Sequence, residues 1–210
     1  MTKPTTKEEK ALRAQGHAHI AGTDEAGKGA WAGPIVAAAV ILPPTISITG
    51  VNDSKQLTPK QREKLFVRIT KQAVSWSVEV VPNKVIDRIG IQSANVRAIE
   101  SALKKLHVNP DAVLVDAVKV KHGRKPVKAI IKGDAKVVSI AAASIIAKVV
   151  RDALMDGLDR EVPGYNFAKH KGYGTADHHA KLKVLGLSPV HRTSFEPMKT
   201  MARKPSKKKT

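Results

Sequence analysis

Acids at the ends of apolar runs constrain this chain more than any other feature, and they begin with an adjacent pair. Between Ala18 and Leu42 the sequence reads, from His19, HIAGTDEAGKGAWAGPIVAAAVIL. Ile20, Gly22 and the apolar run after Trp31 read as two strands either side of a glycine-rich turn. Asp24 and Glu25 fall where the first strand gives out. Burying two carboxylates among small and apolar residues is costly unless positive charge meets them. Lys28 is the one cation nearby in sequence. Hard oxygen ligands gathered in this way suit Mg²⁺ or Mn²⁺.

Gly22 to Lys28, GTDEAGK, also satisfies the G-x-x-x-x-G-K spacing of a phosphate-binding loop. Gly29 follows where that motif needs a Ser or Thr for Mg²⁺, and two acids inside the loop would repel phosphates. Pro34 and the β-branched Ile35, Val36, Val40 and Ile41 do not make the helix it requires. A nucleotide hydrolase of that kind is set aside.

Further along, Pro43-Pro44 ends the second strand, and TISITGV at 45–51 can form another short one. Asn52 to Lys55 reads as a turn. Thr58 caps a helix with Pro59 at its first position and Gln61 completing a capping box. Ser75 to Val81 is a strand with Trp76, Val78 and Val80 on one face. Asn83 to Ile89 is a short helix broken at Gly90, and Ile91 to Leu106 a second, with Val96, Ile99, Leu103 and Leu106 on one side. Ala112 to Val115 is a buried strand terminating in Asp116; Val127 to Ile131 is another, followed by Lys132-Gly133-Asp134. Ala135 to Leu158 is a helix apolar nearly all round at first, hence central, with Ser144 bonding back to a carbonyl. Thr175 or Asp177 caps a last helix ending at Gly186. Antiparallel strands followed by alternating helices and strands describe a mixed α/β sheet flanked by helices, with a helical C-terminal part. In such sheets chemistry collects at strand ends.

A chain of 210 residues bounds one domain, and the absence of cysteine excludes disulfides, thiol catalysis and cysteine-based zinc sites. Residues 1–17 are polar and expected to be disordered, 18–198 form the catalytic domain, and 199–210, with six Lys or Arg, form a basic disordered tail. No signal peptide or membrane span is read, so a cytoplasmic protein is expected. Thirty-seven Lys and Arg against eighteen Asp and Glu give +19, which points to a nucleic acid partner. Seven aromatics are few for single-strand stacking. A non-catalytic basic RNA-binding protein would explain the charge but not acids at three strand ends. Two divalent ions would neutralise those acids and supply a phosphoryl-transfer centre. The alternative is that each Asp caps a turn or helix, most naturally Asp134. The histidine pairs His17/His19 and His178/His179 do not form a ligand set and read as solvated.

GTDEAGKG, NDSK, LVDA, KGD followed by SIAAASIIAKVVRD, and HKGYGT occur in this order between Ile20 and Phe195. Together they resemble the type 2 ribonucleases H. The resemblance implies a ribonuclease-H-like mixed five-stranded sheet. It implies an endonuclease that hydrolyses the RNA strand of RNA–DNA hybrids and incises 5′ of single ribonucleotides in duplex DNA, as in ribonucleotide excision repair and DNA replication. Two ions, Mn²⁺ or Mg²⁺, would act, leaving 5′-phosphate and 3′-hydroxyl ends. By position, the four metal-binding, catalytic acids are Asp24, Glu25, Asp116 and Asp134. Gly27, Lys28 and Gly29 match the family's usual Gly-Arg-Gly, whose backbone meets the 2′-hydroxyl. Tyr173 matches the tyrosine on the next sugar and Ser54 and Lys55 a phosphate-contacting turn; Lys148 and Arg151 flank the site, with His170 and Lys171 near it. Ala117 stands where the family often has Gly. The sister type 3 enzymes resemble the first motif but carry an N-terminal domain; with 23 residues before Asp24, type 2 is expected. A monomer suffices.

Overall fold

The structure, a computed structural model, describes residues 3–45, 50–51 and 54–203, with Lys55 by its backbone only. Five strands form one sheet in the order β3-β2-β1-β4-β5. β1 (Ile20–Ala26) and β2 (Ile35–Ile41) pair antiparallel across the glycine-rich turn, and β3 (Ser75–Val81) continues the meander. β4 (Ala112–Asp116) lies parallel to β1, and β5 (Val127–Ile130) parallel to β4. This is the mixed, helix-flanked sheet that the order of elements implies.

β2 explains why the run IVAAAVI carries no polar alternation: all seven residues are buried. Ile35, Ala37, Ala39 and Ile41 pack with Ala98, Ile99 and Leu103 of α4 (Ile91–Lys105). Val36, Ala38 and Val40 pack on the other face with Leu65 and Ile69 of α2 (Pro59–Gln72) and with Ala141 to Ala147 of α5 (Val138–Glu161). The small residues let α5 lie close to the sheet. A Cβ on Gly22 would come within 2.2 Å of the Ser139 carbonyl carbon, so only glycine fits under the start of that helix.

Local signals hold where they rest on capping chemistry. Thr58 accepts from the Gln61 backbone N–H, and Gln61 Oε1 accepts from Thr58 N at 2.8 Å. A shared apolar face is not always the most buried one. On β3, Ser75, Ser77 and Val81 are the buried residues, while Trp76 and Val80 are exposed, because an edge strand is covered on that face only in part. On α4 the buried face is built from Ala94, Asn95, Ala98, Ile99, Ala102 and Leu103, and Val96 is only half-buried. The strand expected at 45–51 falls largely on 46–49, and the turn expected at Asn52 to Lys55 begins on 52–53, all outside the described residues. α3 (Asn83–Ile89) stops at Gly90, as its sequence implies.

Both termini are more structured than their composition suggests. Within the segment expected to be disordered, α1 (Lys7–Ala14) is a helix with Glu9 buried and Leu12 packed against the Ile20, Ala112 and Ile140 cluster. Glu9 Oε1 accepts from Ser139 N at 2.9 Å, which places a carboxylate on the positive end of α5. Thr5 bridges to Val137, and Lys128 pairs with Glu8 at 2.6 Å. A segment that looks too polar to order is thus held by one acid at a helix N-terminus, one leucine, a backbone bridge and an ion pair. At the other end α8 (Met198–Arg203) crosses the boundary expected at 198, with Met198 buried; 204–210 lie outside the described residues. Glu9→Ala is expected to lower stability by about 1–2 kcal/mol, read from the urea unfolding midpoint against wild type.

Candidate active site

Sheet register brings the acids together. β1 and β4 run parallel, with Thr23 opposite Val115. One residue further on each strand stand Asp24 and Asp116, at the matching ends of neighbouring strands. Asp134 arrives from the 3₁₀ turn Gly133–Ala135 between β5 and α5. It does not cap α5, which begins at Val138. Gly133 N donates to Asp116 Oδ1 at 2.7 Å, tying the two segments. One carboxylate oxygen each from Asp24, Asp116 and Asp134 lies within 4.8 Å of the others. Glu25 is not in this group: successive strand residues point to opposite faces. It lines the same cleft, 3.7 Å from Lys28 Nζ.

Asp24 is buried and accepts from Glu25 N at 2.7 Å. Burial above all, then the charges of Glu25 and Asp116, pushes its carboxyl well above the usual carboxylate range, partly offset by hydrogen bonds from Glu25 N and Ser144. Ser144 was expected to bond back to a carbonyl; its hydroxyl instead meets Ser54 Oγ at 2.8 Å and faces Asp24. Crowded, buried carboxylates with no nitrogen or sulfur ligand among them fit a hard divalent cation.

Asp24, Glu25 and Asp116 line a cleft of about 490 Å³ whose walls include Gly27, Lys28, Gly29, Ser54, Lys148 and Tyr173. Lys148 and Tyr173 also line an adjoining cleft of about 520 Å³ with Arg62, Lys169 and Lys171. Lys148 Nζ binds Asp152 at 2.8 Å, and Lys171 pairs with Asp156. Two expected substrate contacts are placed otherwise. Arg151 is 0 % exposed and donates to the carbonyls of Ala32, Pro34 and Lys171, so it faces inward and cannot reach a phosphate. His170 is buried, with Nε2 on Tyr165 O at 2.7 Å and Nδ1 accepting from Gly172 N at 3.2 Å. Both ring nitrogens are engaged by backbone. The Lys55 side chain lies outside the described residues.

Behind Tyr173, α6 (Phe167–His170), α7 (Ala176–Leu185) and the segment at 188–192 pack on a histidine cluster. His178 is fully buried rather than solvated, stacked on His170 with centroids 4.4 Å apart. Its Nδ1 donates to Tyr173 O at 3.0 Å, so Nε2 accepts from His191 Nε2 at 3.0 Å. His191 Nδ1 in turn accepts from Ser188 N and Ser188 Oγ. Each ring is neutral in this chain, and an added proton would set two N–H groups face to face. Burial first, and then other contributions including neighbouring histidines, pushes His178 and His191 down to about 4.

With this geometry in view, the ribonuclease HII family model matches residues 21–198. The chain belongs to the ribonuclease HII family. A ribonuclease HII of Roseiflexus castenholzii is 52% identical over 204 residues, covering 95% of this chain and 91% of the relative. One of Listeria monocytogenes is 48% identical over 197 residues, covering 94% and 75%. The crystal structure of ribonuclease H2 from Pyrococcus horikoshii superposes with a TM-score of 0.73 at 30% identity, covering 87% of this chain and 96% of that one. The ribonuclease HII assignment disfavours a non-catalytic RNA-binding protein, and it agrees with the ordered motifs. Among the described residues no helix is long and apolar enough to cross a membrane.

Ala117, the departure from the usual glycine after the third acid, has φ +48°. That left-handed conformation costs a residue with a Cβ about 1–2 kcal/mol. Ala117→Gly is expected to raise stability by about 0.5–1 kcal/mol net of glycine's entropy, measured by thermal and urea unfolding. The histidine cluster sets a pH dependence of opposite origin. His178 and His191 titrate lower folded than unfolded, so the unfolded chain takes up more protons on acidification. Stability is expected to fall as pH drops from about 6.5 towards 4, and His191→Gln should flatten that slope in urea titrations at successive pH values.

Proposed function

We propose that this protein hydrolyses the RNA strand of RNA–DNA hybrids and incises 5′ of single ribonucleotides embedded in duplex DNA. One observation carries the reading: Asp24 and Asp116 from neighbouring strand ends and Asp134 from the turn after β5 bring carboxylate oxygens within 4.8 Å of one another, at a cleft walled by Gly27-Lys28-Gly29 and Tyr173, in a chain of net charge +19. Asp24, Asp116 and Asp134 would hold Mg²⁺ or Mn²⁺, with Glu25 beside them. When bound, such ions lower the pKa of water and neutralise charge on the phosphoryl oxygens and the leaving 3′-oxygen.

The chain's own groups orient and select. Gly133 N–H holds the Asp116 carboxylate in place, and Glu25 N–H with Ser144 holds Asp24. The backbone of Gly27 to Gly29 meets the 2′-hydroxyl, where only residues without a side chain allow close approach. The Tyr173 ring has the Lys148 ammonium at 5.5 Å and the Arg151 guanidinium at 5.2 Å from its centroid, contacts that hold the ring in place for the neighbouring sugar. Lys28, Lys55, Lys148 and Lys171 position phosphates without reading sequence, so binding weakens with salt. The protein acts as a monomeric, single catalytic domain in the cytoplasm.

Asp116→Asn is expected to lower cleavage of a duplex carrying one ribonucleotide by about a hundredfold or more, with duplex binding retained. Chelator should abolish cleavage, and added Mg²⁺ or Mn²⁺ restore it. Cutting by the variant at the wild-type rate would sink this reading.

A further inference from the structure

Two arginines in this protein are fully buried and, among the described residues, form no ion pair. Arg192 Nε, Nη1 and Nη2 donate to the carbonyls of Gly33 at 3.0 Å, Lys28 at 3.0 Å and Pro34 at 3.1 Å. Arg151 donates to Pro34 at 2.9 Å, Ala32 at 3.2 Å and Lys171 at 2.9 Å. Arg192 N also donates to the Trp31 carbonyl at 2.8 Å. Five carbonyls between residues 28 and 34 are therefore capped by two side chains and one amide from distant parts of the chain. The same loop is irregular backbone, with few ladder partners of its own, and its carbonyls would otherwise be buried without donors.

Burying an unpaired guanidinium is expensive, and a loop needed only as a connection would not demand two. The loop is the glycine triplet's support. A Cβ on Gly27, whose φ is +90°, would fall 1.8 Å from Arg151 Nε, so the guanidinium lies directly against that backbone. Tyr173 covers the Arg151 guanidinium from the cleft side. Arg192 lies behind the loop, with its guanidinium over Phe195 at 5.2 Å, and does not line the cleft. Only a planar fork of N–H groups reaches three carbonyls at once; a lysine supplies one nitrogen.

We propose that Arg192 and Arg151 are positioning residues for ribonucleotide recognition, forked over the carbonyls of the Lys28–Pro34 loop so that the Gly27–Gly29 backbone sits at the depth where it meets a 2′-hydroxyl. This rests on the function proposed above. Hydroxyl selection by backbone groups needs placement to a fraction of an ångström. A slackened loop would still bind phosphates but lose its preference for ribose.

The test is Arg192→Lys, which keeps the charge and removes the fork. On a duplex with one ribonucleotide, kcat/KM per folded molecule is expected to fall about tenfold or more, the worth of a lost charged hydrogen bond. The Ki of the identical all-DNA duplex, measured as a competitor, should stay at the wild-type value. Leu182→Ala, which loosens the same C-terminal packing but removes no donor from the loop's carbonyls, should leave both constants near the wild-type values. If Arg192→Lys does not fold, Arg151→Lys is read by the same two constants. Unchanged kcat/KM, or a parallel rise in KM and Ki, overturns the inference. A wild-type protein that does not cut at the ribonucleotide overturns the proposed function instead.

Discussion

Carboxylates that repel one another in a poorly solvated pocket are the constraint on which the rest of the structure depends. Asp24 is buried, with Glu25 and Asp116 acting on it, and its carboxyl is held well above its ordinary range. Such a cluster survives folding only on a scaffold stiff enough to resist it. The sheet provides this through β2, buried on both faces, and through α5, which lies so close to β1 that Gly22 admits no side chain. The strain falls where a hard cation would relieve it.

A second, opposite arrangement stands beside the first. The carboxylates are crowded by like charge, whereas Arg151 and Arg192 are buried among carbonyl oxygens, each donating to three of them. Burial lowers both guanidinium pKa values, Arg192 to about 9, and the remaining positive charge is still met by oriented dipoles. Acids gather in the sheet half, and the arginine-capped loop and neutral histidines tie the C-terminal helices to it. The cleft lies where the two halves meet, and its Gly27–Gly29 and Tyr173 walls come one from each.

Legibility in the sequence followed the range of the interaction. Thr58 and Gln61 could be read because a capping box is settled within four residues. Asp24, Asp116 and Asp134 could be read as candidates because each ends an apolar run or follows one. Arg151 pointed to phosphate by position and turned out to bond carbonyls more than a hundred residues away in sequence. Arg192, in a stretch with no periodicity, offered no signal at all. Glu9 looked like one charge among many in a polar terminus, because its partner, the first turn of α5, is 130 residues distant. His178 read as solvated for the same reason: nothing nearby in sequence shows that His170 and His191 will cover it.

The sequence by itself determined the element types, the mixed sheet and the acids at its strand ends, since local periodicity and turn chemistry act over a few residues. Its ordered motifs were enough to indicate the family. Only the tertiary structure decided that Asp24, Asp116 and Asp134 lie within 4.8 Å with Glu25 lining the cleft beside Asp24, because that follows from strand register and the packing of the segments around the sheet. It also decided which charges face the cleft and which face inward. Burial is a property of the whole packed chain, and no local pattern carries it.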